Sequence, residues 1–292
     1  MRMLAAVLLA AAVGTAQGDL VELDVVVIDH DGRPVHDLGR NDFQIKEDGH
    51  QVELKTFVAA SSDEHDTDPD SRQLVLLLDD TAPVGGTAII QAMAQAVLFS
   101  KRPGDDVTVV RLNNDRDEPY GDADTALERI SHYRAGAVPL DRMGTGIRML
   151  NVLSRISRQL EAVEHQRKLV VCIGGPNVCN VLEPQPRGYS LVWKPWVDAL
   201  SAAARANVAV YAAMPVRPGS GVMIGGGLID FTGGAAFYNN GKFEEFVKSV
   251  WREATDYYLL GYWPSGPGRE LHEVEVKVAR KGLHVRVRRE RG

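Results

Sequence analysis

Oxygen-bearing side chains collect where apolar runs stop. Leu74–Leu78 ends at Asp79-Asp80-Thr81-Ala82-Pro83, Leu169–Ile173 ends at Gly174-Gly175-Pro176, and Gly144-Thr145-Gly146 leads into a long helical stretch. Carboxylates and hydroxyls are the donors that hard cations take, and ligands of open α/β sheets sit at the carboxyl ends of strands. These positions are therefore the first candidates for function. The two cysteines, Cys172 and Cys179, bracket the second glycine turn. They form either a disulfide across it or a buried strand thiol with an unrelated loop thiol. Two cysteines without a nearby histidine make no zinc site.

Other chemistry fails on spacing. Gly219-Ser220-Gly221 lacks the G-x-S-x-G of a nucleophile elbow, and Ile224 occupies the third glycine position of a dinucleotide loop. The cluster Gly219–Gly227 reads as a loop after a strand. Asp66, Asp68 and Asp70 imitate the start of a calcium loop without its glycine or its closing glutamate. Neither H-E-x-x-H nor a phosphate-binding G-x-x-x-x-G-K occurs. No catalytic set is legible, so the chain is not expected to be an enzyme. Trp193 and Trp196, beside a helix start, read as core or anchoring residues.

The elements that would position these residues follow from periodicity. Val21, Leu23, Val25 and Val27 alternate with polar residues, the signature of a half-buried strand, and residues 43–47 and 52–57 add short strands around Asp48-Gly49. A polar, acidic linker follows. Continuously apolar strands at 74–78, 107–112, 169–173 and 208–214 then alternate with helical stretches at 88–101, 124–133, 146–164 and 196–205. That alternation predicts an open, mostly parallel sheet with helices on both faces. Residues 257–262 form a closing strand. Two further strands around Ala279–Gly282 read as a hairpin, with Val278 opposite Leu283 and Glu273 opposite Arg288.

The 292 residues are 45% hydrophobic and 25% charged, enough for a substantial core. A net charge of −6 gives no electrostatic argument for nucleic acid or an anionic membrane. Met1-Arg2-Met3, the apolar run Leu4–Val13 and Gly14-Thr15-Ala16 have the three-part layout of a secretory signal peptide. An exported protein is expected, without a membrane span.

At the strand ends the chain resembles the von Willebrand factor A-type domain. In that family a D-x-S-x-S turn, a loop threonine and a further aspartate hold a metal ion, and a partner's carboxylate completes the shell. Asp79, Thr81 and Thr145 match three of the five positions. Pro83 replaces the second serine, and Gly174 or Gly175 replaces the last aspartate. The resemblance thus implies a degenerate metal site at Asp79, Thr81 and Thr145, binding Mg²⁺ weakly or no cofactor at all.

A longer resemblance, to the bacterial von Willebrand factor A-related family best known from Acidobacteria, rests on several ordered segments. They are Val25–Val35 with Asp42-Phe43 and Glu47-Asp48-Gly49, then Thr232–Phe237, Tyr257–Pro264 and Gly282–Arg288. It implies an exported protein in which an N-terminal β segment (19–58) and a C-terminal β segment (256–292) flank an A-like domain (73–255) and pair with each other, beside the signal peptide (1–18) and acidic linker (59–72) read from the residues themselves. The expected function is non-enzymatic protein binding or adhesion outside the cytoplasm. The alternative is a scaffold of a cell-envelope complex without a ligand site.

Overall fold

The computed structural model describes residues 20–60, 72–136, 141–163, 167–185, 187–215, 217, 227–265 and 271–291. The signal-peptide stretch, Asp66, Asp68 and Asp70, and the Gly219–Gly227 loop up to Gly226 lie outside them.

Four strands come first: β1 (Val21–Ile28), β2 (Phe43–Glu47), β3 (His50–Val52) and β4 (Leu54–Ala60). The middle runs β5 (Gln73–Leu78), α1 (Thr87–Phe99), β6 (Asp106–Arg111), α2 (Ala123–Ser131), α3 (Arg142–Leu160), β7 (Lys168–Ile173), α4 (Pro176–Cys179) and α5 (Trp193–Ala206). It continues with β8 (Val208–Met214), α6 (Leu228–Phe231), β9 (Ala236–Tyr238) and α7 (Phe243–Thr255). The chain closes with β10 (Tyr257–Tyr262), β11 (His272–Val278), β12 (His284–Arg286) and β13 (Glu290–Arg291).

The middle strands form one parallel sheet in the order β6-β5-β7-β8-β9, with Leu76 beside both Val109 and Val171. Side chains alternate between its faces, as a pleated strand requires. Val75 and Leu77 join Leu153 of α3 and Leu200 of α5, while Leu74, Leu76 and Leu78 join Met93 of α1, Ile130 of α2 and Val250 of α7. Both faces are covered, which is why these strands read as unbroken apolar runs.

Two elements of this layer have weak sequence signals. β9 is only three residues long, and α7 hides its apolar stripe (Phe246, Val250, Ala254) among charges. Helix α3 begins four residues earlier than the periodicity suggests. Asp141 accepts from Gly144 N at 2.6 Å and so starts the helix as its N-cap. Thr145 therefore lies in the first helical turn, not in a loop. Trp196 is buried edge-on against Phe231, and Trp193 packs on the same core.

Cys172, on β7, and Cys179, at the end of α4, form a disulfide with Cα atoms 5.4 Å apart, and both are fully buried. In a chain-entropy account a loop this short contributes about 2–3 kcal/mol. The bond ties the segment after β7 to the strand it has just left.

Strands from the two ends of the chain pair with one another. β1 lies between β10 and β12, and β2 lies between β11 and β3, giving two four-stranded antiparallel sheets. Leu23, Val25, Ile45, Tyr258, Leu260 and Val276 share the core of this β subdomain.

The hairpin expected around Ala279–Gly282 does not form. β11 pairs with β2, and with β13 only at His272↔Arg291 and Glu273↔Glu290, while β12 joins β1 through Val27↔Val285. The turn carries the chain from one sheet to the other. Alternating apolar residues face a shared core in either arrangement, so alternation could not distinguish an arch from a hairpin. The charges divide accordingly. Glu275 meets Lys277 at 3.0 Å, Arg286 meets Glu253 at 2.5 Å, and Arg288 donates to Asn207 Oδ1 at 2.6 Å.

Candidate functional site

In the parallel sheet, β6 lies on one side of β5 and β7 on the other. The carboxyl end of β5 is thus a topological switch point, where such sheets open a crevice. Asp79 stands there, 1% exposed.

Its carboxylate is closed off by its own surroundings. Oδ1 accepts from Thr81 N at 3.0 Å and from Thr81 Oγ1 at 2.5 Å, and Oδ2 accepts from Gly175 N at 3.1 Å. Its main-chain N–H donates to Ile173 O at 3.1 Å, and its carbonyl accepts from the buried Tyr133 hydroxyl at 2.6 Å. Burial, with the Asp79 and Asp80 charges, holds the Tyr133 phenol far above its usual range, so it stays a neutral donor. All the donors are neutral, and each is fixed by the local backbone or by α2's end.

Gly174 shows why no second acid stands beside this one. A Cβ there would lie 2.2 Å from Asp79 Cβ and 2.6 Å from its Oδ2. The Asp79 side chain occupies the space that a side chain at 174 would need. At Gly175 a Cβ would meet Asp79 Oδ2 at 3.7 Å, ordinary contact, but its amide is already spent on that oxygen.

Asp80 points elsewhere, as neighbours at a strand end do. It accepts from Asn113 N at 3.2 Å and Asn113 Nδ2 at 2.5 Å, pinning the loop after β6. Burial pushes its carboxyl upward, against the Asn113 hydrogen bonds and with a smaller contribution from the Asp79 charge.

The structure brings Asp79 and Thr81 together in a hydrogen bond. Thr145 is buried in α3's first turn, its N–H donates to Asp141 O at 2.9 Å, and no hydrogen bond links it to Asp79 or Thr81. Pro83 caps a 3₁₀ turn at Val84–Gly86 and supplies no side-chain oxygen. The set is poor in oxygens for a divalent cation: Pro83 supplies none, an acid at 174 would collide with Asp79, and Asp79 already spends three acceptor sites on Thr81 and Gly175. Among the described residues, the one close trio of metal-capable groups is Asp29, His30 and Asp31, on an exposed turn after β1, where Asp29 caps its own loop.

Tyr133 and Asn113 complete the crest although sequence patterning had not marked them. A helix-terminal tyrosine and a loop asparagine carry no spacing signal of their own. Around this closed centre the crest loops present large apolar side chains. Val84, Met143, Tyr189 and Leu191 are 73%, 51%, 90% and 77% exposed. Each lies where a helix follows a crest loop: Val84 before α1, Met143 in α3's first turn, and Tyr189 and Leu191 before α5. The disulfide, Asn180 Oδ1 accepting from Ile229 N (3.1 Å) and Leu228 N donating to Val181 O (2.8 Å) hold the segment leading to Tyr189.

No protein-family model matches the chain, and no curated protein matches it. Among solved structures, the N-terminal domain of TFIIH p34 aligns over 63% of this chain and 98% of that one, at 15% identity and a TM-score of 0.37. The human COPII-coat protein Sec24c aligns over 81% of this chain, at 8% identity and a TM-score of 0.40; the chain spans 46% of that protein. Both TM-scores lie below 0.5, so neither likeness decides anything about this chain. The assignment as an α/β protein with a parallel sheet between helices rests on its own strand order and packing.

Proposed function

We propose that this chain is an exported, non-enzymatic protein-binding module of von Willebrand factor A type, whose crest makes contact without a metal ion. One observation carries the reading. The switch-point carboxylate Asp79 is buried and held by neutral donors, while the loops around it expose Val84, Met143, Tyr189 and Leu191. Large exposed apolar side chains are what protein interfaces use as anchors, and a buried carboxylate already held by three hydrogen bonds is a poor ligand for a cation. Placement outside the cytoplasm is supported by the leader-like N-terminus and by a disulfide between the two cysteines. No helix among the described residues is long and apolar enough to cross a membrane.

The test is affinity capture from the native envelope with wild type, Leu191→Asp, Tyr189→Ala and Phe99→Asp. Phe99 is 69% exposed at the end of α1, at the opposite end of the sheet. Partners lost with the two crest variants and kept with Phe99→Asp support the reading. An identical partner set from all four chains refutes it.

A further inference from the structure

β13 closes one antiparallel sheet where that sheet meets α5, and its docking buries a carboxylate. Main-chain bonds lead up to it. Arg289 N donates to Phe231 O at 3.0 Å, and Val274 N donates to Arg289 O at 2.7 Å. Glu290 then lies across from Glu273 in the ladder with β11. Its side chain lines a small cavity whose other walls include Leu200 and Ala204 of α5, Val208 and Phe231. The Glu290 Oε2 atom is buried and accepts no hydrogen bond.

A charged carboxylate in that position loses hydration without a donor to replace it. The neighbouring charges add to the difficulty. Glu273 stands directly opposite, and like charges so placed repel. The segment before α5 brings Glu183 and Arg187, which already pair with each other at 2.6 Å. Arg288, on the same cavity wall, donates to Asn207 Oδ1 at 2.6 Å, and Arg289 lies over the Phe231 ring. Arg205 of α5 reaches Glu161 at 3.8 Å. Three carboxylates thus share one guanidinium, that of Arg187. Burial is the largest influence on Glu290 and pushes its carboxyl above the ordinary value. The Arg187 charge opposes this, and the Glu183 and Glu273 charges reinforce it.

We propose that Glu290 makes β13 a proton-dependent clasp, seated on α5 when the carboxyl is protonated and loosened when it is charged. Protonation removes the repulsion from Glu183 and Glu273 and leaves a neutral side chain against Leu200 and Phe231. The folded value lies above the unfolded value of 4.5, so the clasp is tightest in acid. Its contribution is lost as pH rises through the folded value. Loosening uncovers the α5 side of the cavity and leaves the parallel sheet packed as before. The inference stands independently of the crest.

The test is amide hydrogen exchange of residues 287–290 in the full chain, expressed as protection relative to the intrinsic rate at each pH. In the wild type, protection should fall at least about fivefold between about pH 5 and about pH 8, with β7 as the internal reference. Glu290→Gln, close in shape and always neutral, should show no such fall and keep the acid level of protection throughout. Arg187→Gln removes the one nearby cation from an exposed position, so the fall should move to higher pH. Glu273→Gln removes a repelling charge and should move it to lower pH. Equal protection at both pH values in the wild type, the same fall in Glu290→Gln, or a fall that neither Arg187→Gln nor Glu273→Gln moves would each overturn the proposal.

Discussion

The two ends of the parallel sheet solve the same problem differently. At the crest, Asp79 is buried among amides and hydroxyls with no cation hydrogen-bonded to it. At the base, three carboxylates, Asp24, Asp105 and Glu253, each meet an arginine. Arg167, one residue before β7, pairs with Asp24 of β1, donates to the Tyr211 hydroxyl at 3.1 Å and lies over the Tyr257 ring. Arg72, one residue before β5, holds Asp105 at 2.7 and 2.6 Å and Thr255 Oγ1 at 2.5 Å. Glu253 of α7 takes Arg286 of β12 at 2.5 Å and the Tyr211 hydroxyl at 3.3 Å. Burial first, and the Glu253 charge second, push that phenol up to about 12. Burial, the largest single influence, acts to lower the Arg167 guanidinium, but Asp24 together with Tyr211 and Tyr257 outweighs it and holds the group above its usual range.

Charge pairs at the base join the β subdomain to the parallel-sheet layer. At the crest, neutral hydrogen bonds hold Asp79 and Asp80, and a local charge cluster of Asp117 with Arg111 and Arg129 pins the loop after β6, so these contacts shape loops without joining the two layers. The base is a weld between two halves of the same chain.

The largest expected effect comes from breaking the weld at one side. Asp24→Ala leaves Arg167 buried without its counter-charge and should cost about 3–5 kcal/mol, measured by urea unfolding. The double variant Asp24→Leu/Arg167→Met removes both charges and should recover most of that loss. If Asp24→Ala costs under about 1 kcal/mol, the base is not the weld.

Next comes Gly174→Asp, which restores the acid of the A-type pattern. The overlap with Asp79 should destabilise the chain by about 1–3 kcal/mol, and calorimetry should still find no Mg²⁺ binding. A gain of millimolar or tighter affinity would show that the crest can open for a cation. Tyr133→Phe removes one neutral hydrogen bond to the Asp79 carbonyl and should cost about 1–2 kcal/mol, with the fold unchanged.

The smallest effect is one of pH. Because burial raises the Asp80 carboxyl above its unfolded value of 3.8, the unfolded chain releases this proton first. Stability from this group is therefore greatest at low pH and falls as pH rises from about 4 through the folded value. Asp80→Asn should lack that fall, so the two stability curves should diverge above pH 4. Parallel curves would contradict the assignment.

How far the sequence carried the account depended on the signal. Strands β5, β7 and β8 were legible because burial on both faces leaves unbroken apolar runs, and α1, α2 and α5 because one face is apolar. α7 was missed since its buried positions stand among Glu244, Glu245, Lys248 and Arg252. β9 was missed since three residues carry no period. Asp79 and Thr81 were found from strand-end chemistry, and they do meet. Thr145 stands at the motif position, and the Asp141 cap places it in α3's first turn and not in a loop. Nothing in linear spacing announces that Gly174 is empty because Asp79 fills it, or that Tyr133 closes the turn from 54 residues away. The register of the last strands was misread for a related reason, since alternation reports which face is buried but not which strand lies alongside.

The most direct test of a metal-independent crest is site-specific photo-crosslinking in the native envelope. A photoreactive residue replaces Tyr189, or Phe99 as the base control, in buffers containing either EDTA or Mg²⁺. We predict the same crosslinked protein from position 189 in both buffers and none in common from position 99. Crosslinking from 189 that requires Mg²⁺, or an identical product from 99, would contradict it.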